Sequence, residues 1–93
     1  MFNRSPSLQP MNHRRDSVII VSEILLCAVK GVGKSEMMGK VGLSSAQLKK
    51  YLQFLLRSEL LAVSDHDRRP LFETTAKGKS FLETFDRITK LLA

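Results

Sequence analysis

A chain of 93 residues has room for one small domain, and 43% of its residues are hydrophobic, enough to build a core. A domain near this size buries a limited share of its surface, so a partner subunit would stabilise it. Lys and Arg outnumber Asp and Glu by 15 to 9, and the formal net charge of +6 favours polyanions such as nucleic acid or an anionic membrane surface. One cysteine excludes an internal disulfide, and no apolar run is long enough to span a bilayer, which predicts a cytoplasmic protein without a membrane partner.

The chain begins with MFNRSPSLQPMNHRR, a stretch that contains two prolines and no helical or strand periodicity. Segments of this composition lack the apolar residues that a packed structure needs. We therefore predict a flexible basic tail over residues 1–15. Its cations Arg4, Arg14 and Arg15 either contact nucleic-acid phosphates or serve only as ordinary solvated charges.

Two helices are predicted next. Periodic apolar residues indicate a first helix over residues 16–30, with Asp16 or Ser17 as its cap and Gly31 as its stop. A second, shorter helix is predicted over residues 35–41, where apolar and charged positions again separate onto two faces.

A third helix is predicted where the sequence reads SSAQLKKYLQFLLRSEL, just after Gly42 ends the second. Ser44 and Gln47 have the S-x-x-Q spacing of a capping box, in which each side chain bonds the backbone amide of the other residue. Helical spacing separates two faces: Leu48, Tyr51, Leu52, Leu55 and Leu56 face inward, whereas Ser45, Lys49, Lys50, Gln53 and Arg57 face outward. A short helix joined by a tight turn to a helix that carries cations is typical of a helix-turn-helix.

The apolar period changes from about 3.6 to about 2 after Glu59. The β-prone runs LLAVS and LFETT flank DHDRRP, in which Asp and Pro favour a loop. We therefore predict a two-stranded wing with Arg68 and Arg69 near its tip. Thr75 then caps a last helix that we predict to end near Leu92.

The last predicted helix has the spacing of a coiled-coil seam. Its residues Gly78, Phe81, Phe85, Ile88 and Leu92 are separated by 3, 4, 3 and 4 residues, the alternation of a and d positions. We predict that a second copy of the chain covers its distal part. The predicted dimer interface consists of Phe81, Phe85, Ile88, Leu91 and Leu92. The alternative is that the whole helix lies across its own domain.

The stretches KSEMMGKVGLSSAQLKKYLQFLLRSELL and LFETTAKGKSFLE resemble the archaeal ten-kilodalton winged-helix DNA-binding proteins. The most specific pieces are the L-S-x-x-Q-L-K-K-Y-L run at residues 43–52 and the T-T-x-K-G run at residues 74–78. The resemblance implies a mainly α fold with a small β-hairpin (α+β): a winged helix-turn-helix over residues 16–74 and a C-terminal coiled-coil dimerisation helix over residues 75–93, which pairs antiparallel with its mate. It also implies double-stranded DNA binding as a homodimer, in transcriptional regulation or chromatin organisation, and association with the nucleoid.

Gly33, Lys34 and Ser35 have the letters that end a phosphate-binding loop, but the glycine required five residues earlier is Ala28, and a helix rather than a strand is predicted before them. We interpret Gly31 and Gly33 as turn residues that tolerate positive φ. No group of ligands has metal-binding spacing, and no carboxylate pair suits acid/base catalysis. We therefore expect no enzymatic activity, no catalytic residues, no metal or other cofactor, and no small-molecule substrate.

The predicted DNA-binding residues are Lys34, Ser44, Ser45, Gln47, Lys49, Lys50, Gln53, Arg68 and Arg69. We expect the third helix to enter the major groove and the wing to reach the adjacent backbone or minor groove. Between Lys34 and Arg57 five cations accompany one acidic residue, so phosphates should supply most of the affinity. Two other classes stay open: an RNA-binding module, and a protein-interaction module of a transcription or processing complex, in which Phe54 and the distal seam would matter more.

Overall fold

The computed structural model describes residues 16–93, apart from the side chain of His66. Along the chain the elements are α1 (Ser17–Cys27), α2 (Lys34–Val41), α3 (Ser45–Arg57), β1 (Leu61–His66), β2 (Arg69–Thr74) and α4 (Ala76–Leu92). The predicted fold class, mainly α with a small β-hairpin, is confirmed, and the long C-terminal helix is present. The predicted tail over residues 1–15, with Arg4, Arg14 and Arg15, lies outside the described residues.

A hydrophobic core lies between the helices and the hairpin. The side chains of Ile24, Leu25, Met37, Leu48 and Leu55 are fully buried in it. They come from the apolar faces of α1, α2 and α3, which helical spacing separates from the polar faces. Phe72 of β2 is also buried in this cluster, so the hairpin covers a side of the core that the helices leave open.

α1 is shorter than predicted: it ends at Cys27, three residues before the predicted end. The carbonyl of Ala28 accepts hydrogen bonds from the amides of Gly31 (3.1 Å) and Thr74 (3.0 Å). The chain therefore turns toward the hairpin instead of continuing the helix. Gly31 has the positive φ of this turn, +91°, which favours glycine. At the other end, Asp16 holds the N-cap position, but its side chain makes no capping hydrogen bond.

α2 and α3 form the predicted pair of helices joined by a tight turn. Gly33 does not use a positive φ: it holds the N-cap position of α2 with an extended backbone. Gly42 ends α2 in the left-handed conformation. The predicted capping box of α3 is confirmed, because the amide of Gln47 donates to Oγ of Ser44 at 3.2 Å and the amide of Ser44 donates to Oε1 of Gln47 at 3.0 Å.

α3 ends in a Schellman motif. The amide of Leu60 donates to the carbonyl of Leu55 at 2.9 Å, and the amide of Glu59 donates to the carbonyl of Leu56 at 3.1 Å. Glu59 has a φ of 65° at the position where glycine is usual. This turn leads the chain from the helix directly into β1.

β1 and β2 form an antiparallel hairpin with a tighter turn than predicted. The register pairs His66 with Arg69, so only Asp67 and Arg68 remain in the turn. Both have positive φ, 49° and 68°, as a type I′ turn requires. Arg68 therefore lies at the tip of the hairpin, and Arg69 begins β2.

Pro70 lies inside β2 rather than in the predicted loop. The amides of Phe72 and Thr74 donate to Val32 (2.8 Å) and Ala28 (3.0 Å), away from β1. The backbone amides of alternate strand residues face the same edge of the strand, so the backbone nitrogen of Pro70, like the amides of Phe72 and Thr74, faces away from β1. Its missing N–H therefore leaves the hydrogen bonds between β1 and β2 intact.

Val32 adds a one-residue third strand that the sequence did not predict. Its N–H donates to the carbonyl of Phe72 at 2.9 Å, and its carbonyl accepts from the N–H of Phe72 at 2.8 Å. Since Val32 lies two residues before α2, this bridge holds the start of α2 against the hairpin.

Residues 74–78, which run from the last residue of β2 into the first turn of α4, connect α4 to the rest of the fold. Thr74 is buried, and its hydroxyl donates to the carbonyl of Leu25 in α1 at 2.5 Å. Thr75 caps α4, as predicted, because its Oγ1 accepts from the amide of Gly78 at 3.0 Å. The Thr75 hydroxyl also donates to the carbonyl of Glu59 at 2.6 Å. These bonds fix the start of α4 against α1 and the turn that follows α3.

Gly78 permits a close approach between α4 and the start of β1. A Cβ atom at this position would come within 2.6 Å of Cγ2 of Thr74, and closer still to the carbonyl oxygen of Leu60. Any side chain at residue 78 would therefore displace α4 or the turn before β1.

The apolar stripe of α4 continues beyond its own domain. Phe81 and Leu82 are partly buried against the core, and the rings of Phe81 and Phe85 stack with centroids 6.2 Å apart. Farther along, Ile88, Leu91 and Leu92 are 48%, 85% and 81% exposed. The last turns of α4 thus have little apolar cover within the described residues.

We predict that Gly78→Ala destabilises the protein, because the added methyl group would overlap Leu60 and Thr74. Overpacking of this kind costs about 1–3 kcal/mol, which urea titration measures as a loss in the free energy of unfolding. Gly39→Ala is the matched control, since Gly39 lies inside α2 and a Cβ atom there has nothing within 4 Å. Alanine should stabilise that position by about 0.5–1 kcal/mol. Equal effects of the two changes would contradict the close approach at Gly78.

Candidate nucleic-acid interface

Every residue of the predicted DNA-binding set has an exposed position. The set is Lys34, Ser44, Ser45, Gln47, Lys49, Lys50, Gln53, Arg68 and Arg69. Exposure is necessary for contact with a ligand, but it does not show which side chains can act together. The structure divides the set among the outward face of α3, a groove between α2 and β2, and the tip of the hairpin.

α3 presents an outward row of polar and cationic side chains. Successive residues of a helix are rotated by about 100°, so Lys50, Gln53 and Arg57 fall in one row. The residues on the opposite side of α3, Leu48, Leu52 and Leu55, face the core. Arg57 was not in the predicted set, although its distance of seven residues from Lys50 places it on the same face. Lys49 lies to one side of the row.

Ser44 and Gln47 hold the start of α3 in place. Each side chain accepts a hydrogen bond from the backbone amide of the other residue, so one oxygen atom of each is already in use. The hydroxyl of Ser45, the side-chain nitrogen of Gln47 and the hydroxyl hydrogen of Ser44, which the cap does not use, can therefore contact a ligand without breaking the cap.

A groove between α2 and β2 brings one predicted residue of the helix pair next to one of the wing. It has a volume of about 550 Å³ and is lined by Gly33, Lys34, Ser35, Glu36, Arg69, Pro70 and Leu71. Lys34 and Arg69 both line this groove, since the bridge between Val32 and Phe72 holds the start of α2 against β2. Gly33, the N-cap residue of α2, supplies no side-chain cap, and the first amides of a helix favour an anion.

Acidic side chains neutralise few of these cations. Within residues 16–93, Lys40 pairs with Glu36 at 3.0 Å, and both groups are exposed. Lys49, Lys50 and Arg57 form no ion pair in the same part of the chain. Their charges are therefore available to an external anion.

A second groove lies beside α3, toward the start of α1. It has a volume of about 410 Å³ and is lined by Ser17, Val21, Lys50, Tyr51 and Phe54. The hydroxyl of Tyr51 donates to Oγ of Ser17 at 3.4 Å and so connects the two helices. Phe54, which is 53% exposed, lies beside α1 in this groove.

The described residues include no group of three or more His, Cys, Asp and Glu side chains that could hold a metal ion. Nor does any described helix combine the length and apolarity that crossing a membrane requires. Burial raises the pKa of the Cys27 thiol; Lys40 opposes this rise and Glu36 adds to it. A thiol with a raised pKa keeps its proton at neutral pH, which is the opposite of an activated nucleophile.

We predict that iodoacetamide alkylates Cys27 more slowly in the native protein than in the urea-unfolded chain. The thiolate is the reactive form, and partial burial of Cys27 raises the pKa of the thiol, which lowers the fraction of thiolate in the native protein. Mass spectrometry of the adduct at constant pH measures both rates, and the chain has one cysteine, so the mass change reports on that thiol alone. Equal rates would contradict the burial of this side chain.

Two solved structures share this architecture. The DNA-binding protein Sso10a-2 of Sulfolobus solfataricus is similar with a TM-score of 0.73 at 23% sequence identity, over 83% of this chain and 81% of that chain. BpsR of Bordetella bronchiseptica, whose DNA binding is regulated by 6-hydroxynicotinic acid, has a TM-score of 0.65 at 20% identity, over 76% of this chain and 55% of that chain. At these identities the likeness concerns the fold alone.

Comparison by sequence agrees with the fold. A search among curated proteins finds no match to the chain. The family model described as winged helix-turn-helix, however, matches residues 14–93, which include all the described helices and both strands. The chain belongs to the winged helix-turn-helix family.

Proposed function

We propose that this winged-helix protein binds double-stranded DNA as a homodimer and acts as a transcriptional regulator or a chromatin-architectural protein. In the proposed complex α3 enters the major groove, and the hairpin contacts the adjacent backbone or minor groove. The observation that carries the proposal is the row of cations on α3 that form no ion pair within residues 16–93. The groove that Lys34 and Arg69 share adds a second positively charged surface. The DNA binding of Sso10a-2 and of BpsR, which have the same fold, supports it.

The row on α3 provides the contacts inside the major groove. Lys50 and Arg57 carry positive charges toward the duplex, and the amide of Gln53 can read a base edge. Lys49 lies beside the row, and Ser45 is exposed in the first turn of α3, where each can contact the DNA backbone. With so few base-reading groups, phosphate contacts supply most of the affinity, and sequence preference is modest.

The groove between α2 and β2 provides a site for the DNA backbone. Lys34 and Arg69 line it together, and the first backbone amides of α2, which the N-cap residue Gly33 does not cap with a side chain, add donors for a phosphate oxygen. Glu36 also lines this groove, but its carboxylate is paired with Lys40 at 3.0 Å, which offsets part of its repulsion of phosphate. Arg68, at the tip of the hairpin, extends the reach of the same surface along the backbone.

The exposed end of α4 supports dimerisation. Ile88, Leu91 and Leu92 are 48%, 85% and 81% exposed, and burying such a side chain contributes about 1.5–3 kcal/mol. A second copy that packs against Phe81, Phe85, Ile88, Leu91 and Leu92 covers this seam as a coiled coil, antiparallel as in the archaeal ten-kilodalton proteins that the sequence resembles. A dimer also presents two copies of α3 to successive segments of the major groove.

This function needs no catalytic residue, metal or other cofactor, and it places the protein on the nucleoid in the cytoplasm. A protein-interaction module is the second candidate, favoured by Phe54, which is 53% exposed on α3. Binding to a protein partner that persists after nuclease treatment, together with no affinity for duplex DNA, would favour that candidate.

DNA affinity should depend steeply on salt. If a dimer contacts about six phosphates, the logarithm of the binding constant falls against the logarithm of salt concentration with a slope of about −5, because each phosphate contributes about 0.9. Fluorescence anisotropy of a labelled duplex of random sequence, at several salt concentrations, measures this slope.

The Lys34→Ala/Arg69→Ala variant removes up to four phosphate contacts from a dimer, so its slope should be shallower by up to about 3.6. Lys79→Ala/Lys90→Ala is the matched control, since it removes the same charge from exposed positions of α4 and should leave the slope unchanged. A flat salt response, or equal slopes for the two variants, would contradict the proposed interface.

Dimerisation should depend on the seam of α4. Ile88→Glu places a charge in the seam, so we expect a monomer by light scattering at concentrations where the wild-type protein is a dimer. Ser80→Glu adds the same charge at an exposed position outside the seam and should leave the dimer mass unchanged. A dimer that persists in the Ile88→Glu variant would exclude the coiled-coil interface.

A further inference from the structure

The groove between α1 and α3 has the size of a small-molecule site. Its volume of about 410 Å³ falls in the range of about 300–1,000 Å³ that is typical of ligand pockets. α1 contributes Ser17 and Val21, and α3 contributes Lys50, Tyr51 and Phe54. All five of these lining residues lie on helices rather than in loops.

One part of this groove is apolar and aromatic. Tyr51 and Phe54 are three positions apart on α3 and are therefore neighbours on its surface. Val21 contributes an aliphatic wall from α1. Phe54 is 53% exposed, although the transfer of a phenyl ring out of water is favourable. A flat ring that packs against Phe54, Tyr51 and Val21 would cover this surface.

The other part of the groove is polar and positively charged. The Tyr51 hydroxyl donates to Oγ of Ser17 at 3.4 Å, so the hydroxyl hydrogen of Ser17 remains to be donated to an oxygen atom of a ligand. Lys50 also lines the groove, and its ammonium group has no ion pair within residues 16–93. Asp16 precedes Ser17 in the chain, but no carboxylate is among the described side chains that line the groove. The groove is therefore complementary to an anion.

We propose that this groove binds a small aromatic carboxylate. The ring packs against Phe54, Tyr51 and Val21, and the carboxylate accepts hydrogen bonds from Lys50 and from the hydroxyl of Ser17, which Tyr51 orients by its own hydrogen bond. A purely apolar occupant, such as the exposed seam of a second copy, would cover Phe54 but leave the Lys50 ammonium without a counter-charge. An aromatic acid satisfies both parts of the groove.

The bound acid also occupies Lys50, which belongs to the outward row of α3. This consequence rests on the proposed DNA binding. The acid and the duplex then compete for one ammonium group, so each weakens the binding of the other by the same factor. The groove therefore makes DNA affinity depend on the concentration of a small acid.

The chain contains its own probe of this groove, because Tyr51 is its only tyrosine and it has no tryptophan. Tyrosine emission of the full chain is titrated with phenylacetate, and with phenylacetamide and phenethylamine as neutral and cationic analogues. We expect a saturable change with phenylacetate and a dissociation constant on the order of 1 mM, since a ligand of so few atoms binds weakly. The two analogues should bind at least about tenfold more weakly, because they lack the charge-assisted hydrogen bond to Lys50.

Three variants distinguish the contribution of the Lys50 charge to binding from that of the Phe54 ring. Lys50→Gln should reduce the preference for phenylacetate over phenylacetamide to about twofold or less, because the ammonium group is gone. Lys79→Gln, which removes an exposed charge from α4, should keep the full preference. Phe54→Ser should weaken the binding of both compounds. Lys50 and Phe54 are exposed, and urea titration of each variant verifies that it is folded.

Three outcomes would overturn the site. They are an emission that responds to none of the probes, equal affinities for phenylacetate and phenylacetamide, and an unchanged preference in the Lys50→Gln variant. A tyrosine emission that changes with protein concentration in the absence of any ligand would identify a second copy as the occupant, and would overturn the proposal as well.

The coupling to DNA is measured separately, by anisotropy of a labelled duplex at constant ionic strength. Saturating phenylacetate should raise the dissociation constant for the duplex severalfold in the wild-type protein and leave it unchanged in Lys50→Gln. Phenylacetate binding without this change would retain the site and overturn the coupling. Phenylacetate binding by a protein that has no affinity for the duplex would retain the site and overturn the proposed DNA binding.

Discussion

The buried hydrogen bond from the Thr74 hydroxyl to the Leu25 carbonyl, 2.5 Å long, anchors the end of the hairpin on α1. Leaving a buried polar group without its partner costs about 1–3 kcal/mol, so this bond opposes any slip between strand and helix. At the next residue, Thr75 caps α4 and donates to Glu59 in the turn after α3. The close packing at Gly78 then sets the distance between α4 and β1. The relative orientation of α1, α3, the hairpin and α4 depends on this short segment.

Most of the fold could be predicted from local signals, and the exceptions are contacts between distant parts of the chain. The capping box of Ser44 and Gln47 is visible in the sequence because both partners lie within one helical turn. The early end of α1 and the one-residue strand at Val32 depend instead on β2, about forty residues later. Local patterns contain no information on such a pairing. The tight turn at the tip of the hairpin was missed because Asp67 is followed by Arg68 rather than by glycine, the usual second residue of a type I′ turn.

The sequence predicted which residues form the candidate site better than it predicted how they lie relative to one another. Helical spacing sufficed to place Lys50, Gln53 and Arg57 on the outward face of α3, although Arg57 was left out of the predicted DNA-binding set. The groove between α2 and β2 was not predictable, since Lys34 and Arg69 both line it only because an unpredicted bridge holds α2 against the hairpin. The groove between α1 and α3 was also missed, because its shape depends on how the two helices pack. Lys50 belongs to both the outward row and this second groove, so the same side chain can bind either a polyanion or a small anion.

The central claim is that duplex DNA covers the outward face of α3 and the groove between α2 and β2. Acetylation of the lysines, followed by mass spectrometry with and without saturating duplex at low salt, tests it most directly. We predict that the duplex protects Lys34, Lys49 and Lys50, whereas Lys79 and Lys90 on α4 react at the same rate in both samples. Protection of the α4 lysines instead, or no difference between the two groups, would contradict the claim.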